Sequence, residues 1–146
     1  LAAEFPALAC EAMEDIAAAV QQVDVIATVT CASEPVLFGE WVRPGTHVNL
    51  VGSSYAGPVE VDSALVMKSR FLVDSRESAL AAAAEFLVAR EEGWVTDEHI
   101  AGEIGEVLLG RVAGRRNARE ITIYKSLGHV VQDLAAAAWL YRSARA

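Results

Sequence analysis

The sequence predicts an α/β fold, a mostly parallel sheet with flanking helices. Three observations predict it. Strand-like and helix-like stretches alternate along all 146 residues. Residues 24–62 hold two apolar runs, DVIATVT and HVNLVG, each ending in small hydroxyl or glycine residues. The connection between them is Pro/Gly-punctuated, too long for a hairpin, and long enough to return the second run parallel to the first. Short Val- and Ile-rich runs bounded by turn signals read as strands buried on both faces.

The elements follow in order. LAAEF at residues 1–5 reads as the tail of an amphipathic helix, and PALACEAM at 6–13 as a short strand. EDIAAAVQQV sets Ile16, Ala19, Val20 and Val23 at helical spacing, with acidic residues in its first turn to suit the helix dipole. DVIATVT is a strand, and residues 31–45 are a crossover with one helical turn, closed by the Pro44-Gly45 turn signal. HVNLVGSS is the second strand, and residues 60–68 form a short helix. RFLVD at 70–74 is a strand, Ser75 caps a helix that runs to Gly93, and Thr96 caps another that closes at Gly110. RVAGRRNARE is a loop and EITIYK alternates like a strand. Residues 125–146 are a long closing helix that buries Val130, Leu134, Ala138 and Tyr141 on one face.

Composition narrows the function classes. The chain is 53% hydrophobic with a net charge of -8 and a pI near 4.8, which suits one domain with a sizeable core. That acidity argues against a nucleic-acid partner, because phosphate binding wants a basic footprint. Arg111, Arg115, Arg116 and Arg119 sit among glycines and read as a solvated loop. Cys10 and Cys31 have no metal-type spacing and form no disulfide framework, so a reducing, cytoplasmic compartment is expected. The longest apolar tract, residues 79–88, is interrupted by Glu85 and too short to cross a bilayer. The first residue, Leu1, is not methionine, and the chain is expected to be a piece of a longer one.

In open parallel sheets ligands sit beyond the carboxyl ends of the strands. Thr28 and Thr30 offer hydroxyls there to a ribose or base, or serve simply as β-formers at a strand end. Gly52, Ser53 and Ser54 admit close approach of a ligand to the backbone, or make an ordinary turn. Ser126, Leu127 and Gly128 open the last helix, where free N–H groups suit a carboxylate, amide or phosphate; a plain N-cap at Ser126 accounts for them as well. His47, His99 and His129 lack partners at ligand spacing, so no metal site is expected. Glu103 and Glu106 share a helical face, as a carboxylate pair or as a capping face. No GxGxxG, GxSxG or activated cysteine is present.

DVIATVTCASEPVLFGEWVRPGTHVNLVG, VDSRESAL, HIAGEIGEVLLG and EITIYKSLGHVVQDLAAA together resemble the ornithine cyclodeaminase and mu-crystallin family, in order from about residue 11 to the C-terminus. The resemblance implies a Rossmann-like domain, incomplete at its N-terminus, that binds NAD or NADP. In the family an N-terminal substrate and dimerisation domain sits beside it, absent from this chain, and makes the homodimer. It also implies a glycine-rich fingerprint and two strands upstream, and a nicotinamide facing a cleft between the domains. Position by position, Thr30 resembles a threonine that contacts the cofactor, with Thr28 beside it. Val51, Gly52, Ser53 and Ser54 match the loop under the nicotinamide ribose. Ser126 resembles another cofactor contact and Leu127 a substrate contact.

Cyclodeaminases of the family carry an aspartate acid/base where this chain has Ser54, and a lysine where it has Pro58. A serine hydroxyl does not titrate near neutral pH and is a poor general base unless another group activates it. The resemblance therefore implies an NAD(P)-dependent oxidoreductase acting on an amino acid or its imine, as a ketimine reductase or amino-acid dehydrogenase. The alternatives are an ornithine cyclodeaminase that yields proline and ammonia, and a nucleotide-dependent small-ligand binder without turnover.

Overall fold

The computed structural model describes residues 7–145. Five strands make one sheet in the order β1-β2-β5-β3-β4, from β1 (Val25–Thr28), β2 (His47–Leu50), β3 (Arg70–Val73), β4 (Ile100–Glu103) and β5 (Thr122–Lys125). Every pairing is parallel. The expected α/β fold with a parallel sheet and flanking helices is what the chain adopts. The register aligns the last residues of all five strands in one row, Thr28, Leu50, Lys125, Val73 and Glu103. That row is the carboxyl edge of the sheet.

Alternation across the pleat divides the faces. Val48, Leu50, Phe71, Val73 and Ile123 belong to one core cluster with Leu65, Val66, Ala79, Ala83 and Phe86. These last five come from α2 (Ser63–Lys68), α3 (Arg76–Ala82), the residue that follows it, and α4 (Ala84–Glu91). Phe71 and Phe86 meet with ring centroids 5.6 Å apart. His47, Asn49, Leu72 and Tyr124 lie on the opposite pleat and line a cleft. No helix of the described residues is long and apolar enough to cross a membrane.

Burial on both faces fits β3 and β5 but not β1, where Val25 is 58% exposed. β1 is an edge strand among the described residues, hydrogen-bonded only to β2. Residues 7–13 of the expected first strand form no strand, and the proposed helix tail at 1–5 lies outside the described residues. The first helix is confined to α1 (Ile16–Val20), capped by Asp15, whose carboxylate accepts from Ala18 N at 3.0 Å. Only Val20 of its expected face is buried. The crossover contains a hydrogen-bonded turn, Trp41 N to Phe38 O at 3.0 Å, in place of a helical turn.

Residues 60–68 are helical only from Ser63, because Asp62 caps α2 by accepting from Leu65 N at 2.9 Å. That leaves Glu60 outside the helix, in a bend, buried. The helix expected from Ser75 to Gly93 is two, broken at Ala83 with ψ 91°. The break makes Ala84, Glu85 and Phe86 the buried first turn of α4. Its C-terminal stop is as expected, with Gly93 at φ +80°, a conformation glycine adopts without strain.

The helix expected over residues 96–110 is a short 3-10 turn (Asp97–His99), then β4, then α5 (Ile104–Leu108). Pairing with β3 overrides local helix propensity there. Ile100 and Gly102 are buried and Ala101 and Glu103 are not, a period of two that marks a strand.

The last helix begins later than expected, as α6 (Val130–Ser143). Its cap is His129, which accepts from Val131 N, and not Ser126. Ser126 N still donates to Leu50 O at 3.0 Å, so β5 pairing continues through the position where a cap was expected. The expected buried stripe is open: Val130, Leu134 and Tyr141 are 75%, 68% and 63% exposed, and Ala138 is half-buried. An amphipathic pattern shows what a helix is able to bury, not that a partner lies within the same chain.

In the 146-residue chain Phe86→Ala is expected to cost about 3–5 kcal/mol, the usual range for emptying a core aromatic site. Leu134→Ser is expected to stay within about 0.5 kcal/mol. Urea unfolding of both variants checks the pair, and a loss at Leu134 comparable to that at Phe86 would refute the open placement of α6.

Candidate functional site at the carboxyl edge of the sheet

The residues singled out at the strand ends do come together. Thr28 ends β1 and Thr30 lies two residues on; Val51 to Ser54 follow β2; Ser126 and Leu127 follow β5. Glu60, which carries no motif in the sequence, joins Thr28, Thr30 and Gly52. The Glu60 carboxylate accepts from the Thr28 hydroxyl at 2.8 Å, the Thr30 hydroxyl at 2.7 Å and the Thr30 N–H at 2.5 Å. It also accepts from Gly52 N at 2.8 Å. Both carboxylate oxygens are thereby used, and Glu60 is fully buried.

Burial alone would raise the Glu60 pKa. The donors from Thr30, Thr28 and Gly52 more than offset it and hold the carboxyl below its ordinary value. Gly52 has no room for a side chain: a Cβ there would stand 2.1 Å from Thr30 O and 2.2 Å from a Glu60 oxygen. The close approach expected at this glycine is therefore to Thr30 and Glu60 of the same chain.

A second buried cluster sits beside the first. Ser53 has no exposed surface, and its hydroxyl donates to Glu85 Oε1. Lys125 Nζ donates to the Ser53 carbonyl and to the Ser53 hydroxyl, the latter at 2.8 Å. Glu85 also accepts from Glu60 N at 3.1 Å, and its Oε2 lies 3.3 Å from Lys125 Nζ. Glu85 and Lys125 are both buried, and Glu85 Oε2 accepts no hydrogen bond. Desolvation pushes the Lys125 amine below its usual value, and the Glu85 carboxylate counters that push in part.

Two signals for these groups were present in the sequence. Glu85 interrupts an otherwise apolar tract, and Lys125 falls on the same parity as Ile121 and Ile123.

The remaining carboxylates at this edge are spent too. Asp74 accepts from Ser75 N at 2.8 Å and from Leu127 N at 2.7 Å. Glu103 accepts from Arg76 N at 2.8 Å, while its own N–H donates to Glu106 at 2.9 Å. Of the two readings of Glu103 and Glu106, the capping one matches this geometry. His47 meets Thr122 Oγ1 at 2.8 Å, and His99 meets Val66 O at 2.8 Å. Among the described residues no three His, Cys, Asp or Glu side chains form a group able to hold a metal. Arg115 donates to Gly45 O in the β1–β2 connection, and Arg116 bonds to Glu120 within its own loop.

What stays open is neutral. Ser54 is exposed, Val51 is 40% exposed, and Ser126 and Leu127 are half-buried. A cleft of about 690 Å³, lined by other residues, reaches the same edge at Asp74, Glu103 and His129 and runs down the sheet past Tyr124 and Asn49. Hydroxyls and backbone amides of this kind suit a ribose or a carboxamide. The edge has neither a free cation nor a glycine-rich turn for a pyrophosphate among the described residues. This donor set fits the nicotinamide-ribose half of a dinucleotide.

Comparison with known proteins matches residues 2–146 to the ornithine cyclodeaminase/mu-crystallin family model. Ketimine reductase mu-crystallin of Mus musculus is 43% identical over 125 residues, 86% of this chain and 37% of its own length. The Thermococcus litoralis Delta(1)-pyrroline-2-carboxylate reductase, solved with NADH and L-proline, superposes with a TM-score of 0.86 at 37% identity, over 90% of this chain and 41% of that one. An archaeal alanine dehydrogenase dimer with bound NAD gives a TM-score of 0.76 at 38% identity, over 83% of this chain and 38% of that one. The chain spans about two-fifths of the length of these relatives.

Glu60→Gln is expected to lose about 2 kcal/mol at pH 7, the scale of hydrogen bonds to a charged acceptor. A carboxyl lowered in the folded state contributes stability that is complete above its unfolded pKa, about 4.3, and is lost as the pH falls through the lower folded value. The gap between wild type and variant should therefore narrow below about pH 4. Unfolding curves at neutral and acid pH check this, and a gap that stays constant would count against the charged state assigned to Glu60.

Proposed function

The chain belongs to the ornithine cyclodeaminase/mu-crystallin family, and from that premise we propose that it is the C-terminal part of the dinucleotide domain of an NAD(P)-dependent oxidoreductase acting on an amino acid or its imine. Ketimine reduction and amino-acid dehydrogenation are the two directions of one reaction type. The longer protein carries an N-terminal substrate domain, pairs as a homodimer through it, and works in the cytoplasm. Its partner is a small molecule, and an acidic chain of net charge -8 offers nucleic acid no footprint.

One observation carries this reading over cyclodeamination. The carboxyl edge offers exposed neutral groups, while Glu60, Asp74, Glu85 and Glu103 are each committed to hydrogen bonds or an ion pair within the chain. Cyclisation with loss of ammonia wants a titratable acid/base at the reacting carbon, and these four carboxylates are not free to serve.

When bound, the cofactor supplies the hydride chemistry. The residues of this chain supply position. Val51 and Ser54 flank the ribose end, Ser126 gives a hydroxyl to the carboxamide or ribose, and Leu127 walls the substrate. Thr28, Thr30, Gly52 and Ser53 act from beneath, since their polar groups face Glu60, Glu85 and Lys125 and hold the edge in shape. The proton that an imine nitrogen gains on reduction comes from outside this edge, from solvent or from the substrate domain.

Full-length protein tests the reading. NADH or NADPH oxidation with Delta(1)-pyrroline-2-carboxylate is expected, and release of proline and ammonia from ornithine is not. Ornithine turnover, or dinucleotide binding with neither reaction, would displace the proposal. Ser54→Asp is expected to keep dinucleotide affinity within about threefold, because an exposed substituent changes little where nothing must be desolvated. Abolished binding in a fluorescence titration would mean that this loop is misplaced.

A further inference from the structure

We propose that the buried Glu85–Lys125 pair is a positioning device for the Gly52–Ser54 loop, gripping Ser53 and so setting where the exposed Ser54 stands. The proposal rests on the oxidoreductase reading for what the loop faces, but not for the grip itself.

The grip is built from distant parts of the chain. Lys125 is the last residue of β5, the central strand of the sheet. Glu85 sits in the first turn of α4, 32 residues after Ser53 and 3.3 Å from the Lys125 ammonium. The lysine holds the Ser53 carbonyl and hydroxyl, and the glutamate holds the same hydroxyl. The hydroxyl accepts from the ammonium and donates to the carboxylate, so its direction is fixed by opposite charges. Glu85 also takes the N–H of Glu60, which ties this grip to the cluster holding Thr28, Thr30 and Gly52.

Stability does not explain the pair. Both charges are out of water, and a well-packed apolar pair of the same volume is commonly as stable or more so. Glu85 Oε2 is left without any hydrogen bond, which a side chain retained for folding alone would not favour. An apolar pair would fill the space and leave the Ser53 hydroxyl and carbonyl undirected. The ionic pair supplies direction, one residue before the exposed Ser54. Displacement of a reacting group by about 1 Å is enough to cost on the order of a hundredfold in rate.

The test uses full-length protein and the double variant Glu85→Leu with Lys125→Met. Melting temperature is expected to hold or rise, KM to change little, and kcat for cyclic-imine reduction to fall about a hundredfold. Amide exchange at residues 52–55 is expected to quicken about tenfold while the β3 and β5 amides keep their protection. Ser53→Ala, which removes only the gripped hydroxyl, should show the same kcat loss on a smaller scale and decides the matter if the double variant fails to fold. Wild-type kcat together with unchanged loop exchange in a folded variant would overturn the proposal. Should the wild type oxidise neither NADH nor NADPH with cyclic imines, the functional reading fails, and loop exchange alone still upholds or overturns the grip.

Discussion

Four donors from the ends of two strands converge on the Glu60 carboxylate, and the carboxyl edge of the sheet depends on that convergence. Thr28 and Thr30 bring in the end of β1, and Gly52 brings in the end of β2. A carboxylate in an apolar interior costs several kcal/mol unless its lone pairs are filled. Here they are filled by charge-assisted bonds, the strong kind. The requirement runs in both directions. Glu60 tolerates burial because the strand ends supply donors, and the strand ends turn where they do because Glu60 needs them. Gly52 shows how tight the arrangement is, since the space a side chain would need is taken by Thr30 O and by Glu60 itself.

Much of the fold was legible because period and punctuation agreed with tertiary pairing. The strands around residues 25–28, 47–50, 70–73 and 122–125 stand where the apolar runs put them, and Ser75 caps its helix as its residue type suggests. The failures share one cause. At residues 100–103 a four-residue strand sits between a 3-10 turn and a short helix, and local signals favour one long helix over that succession. The partner strand β3 settled the outcome, and no local pattern reports a partner 30 residues away. The break at Ala83 is similar. An alanine-rich run has no sequence reason to stop, and it stops where Glu85 must enter the core to meet Ser53 and Lys125.

The site was legible as a place more than as a set of contacts. Small and hydroxyl residues at strand ends located the carboxyl edge correctly. Their roles were harder to read, because a serine or threonine hydroxyl is equally able to face a ligand or a buried carboxylate. Thr28 and Ser53 face carboxylates, and only a buried acid elsewhere in the chain decides that. Glu60 and Lys125 carried no motif of their own. Lys125 turns inward with the pleat of Ile123, whereas Glu60 lies in a bend outside any strand and only its distant donors explain its burial.

An edge whose carboxylates are all engaged divides the work of catalysis in a definite way. General acid/base chemistry needs a group that changes protonation near the working pH and reaches the substrate. Glu60 fails on both counts, with its carboxyl held below the ordinary range and sealed beneath the strand ends. Lys125 is likewise enclosed, donating to the Ser53 carbonyl and hydroxyl and ion-paired with Glu85. What such an edge does well is to present exposed, neutral Ser54 and half-buried Ser126 and Leu127 on a buried, hydrogen-bonded base. Hydride transfer asks for that, because its rate responds to distance and angle more than to a local proton donor. Cyclodeamination asks for more, a titratable group free to reach the reacting carbon.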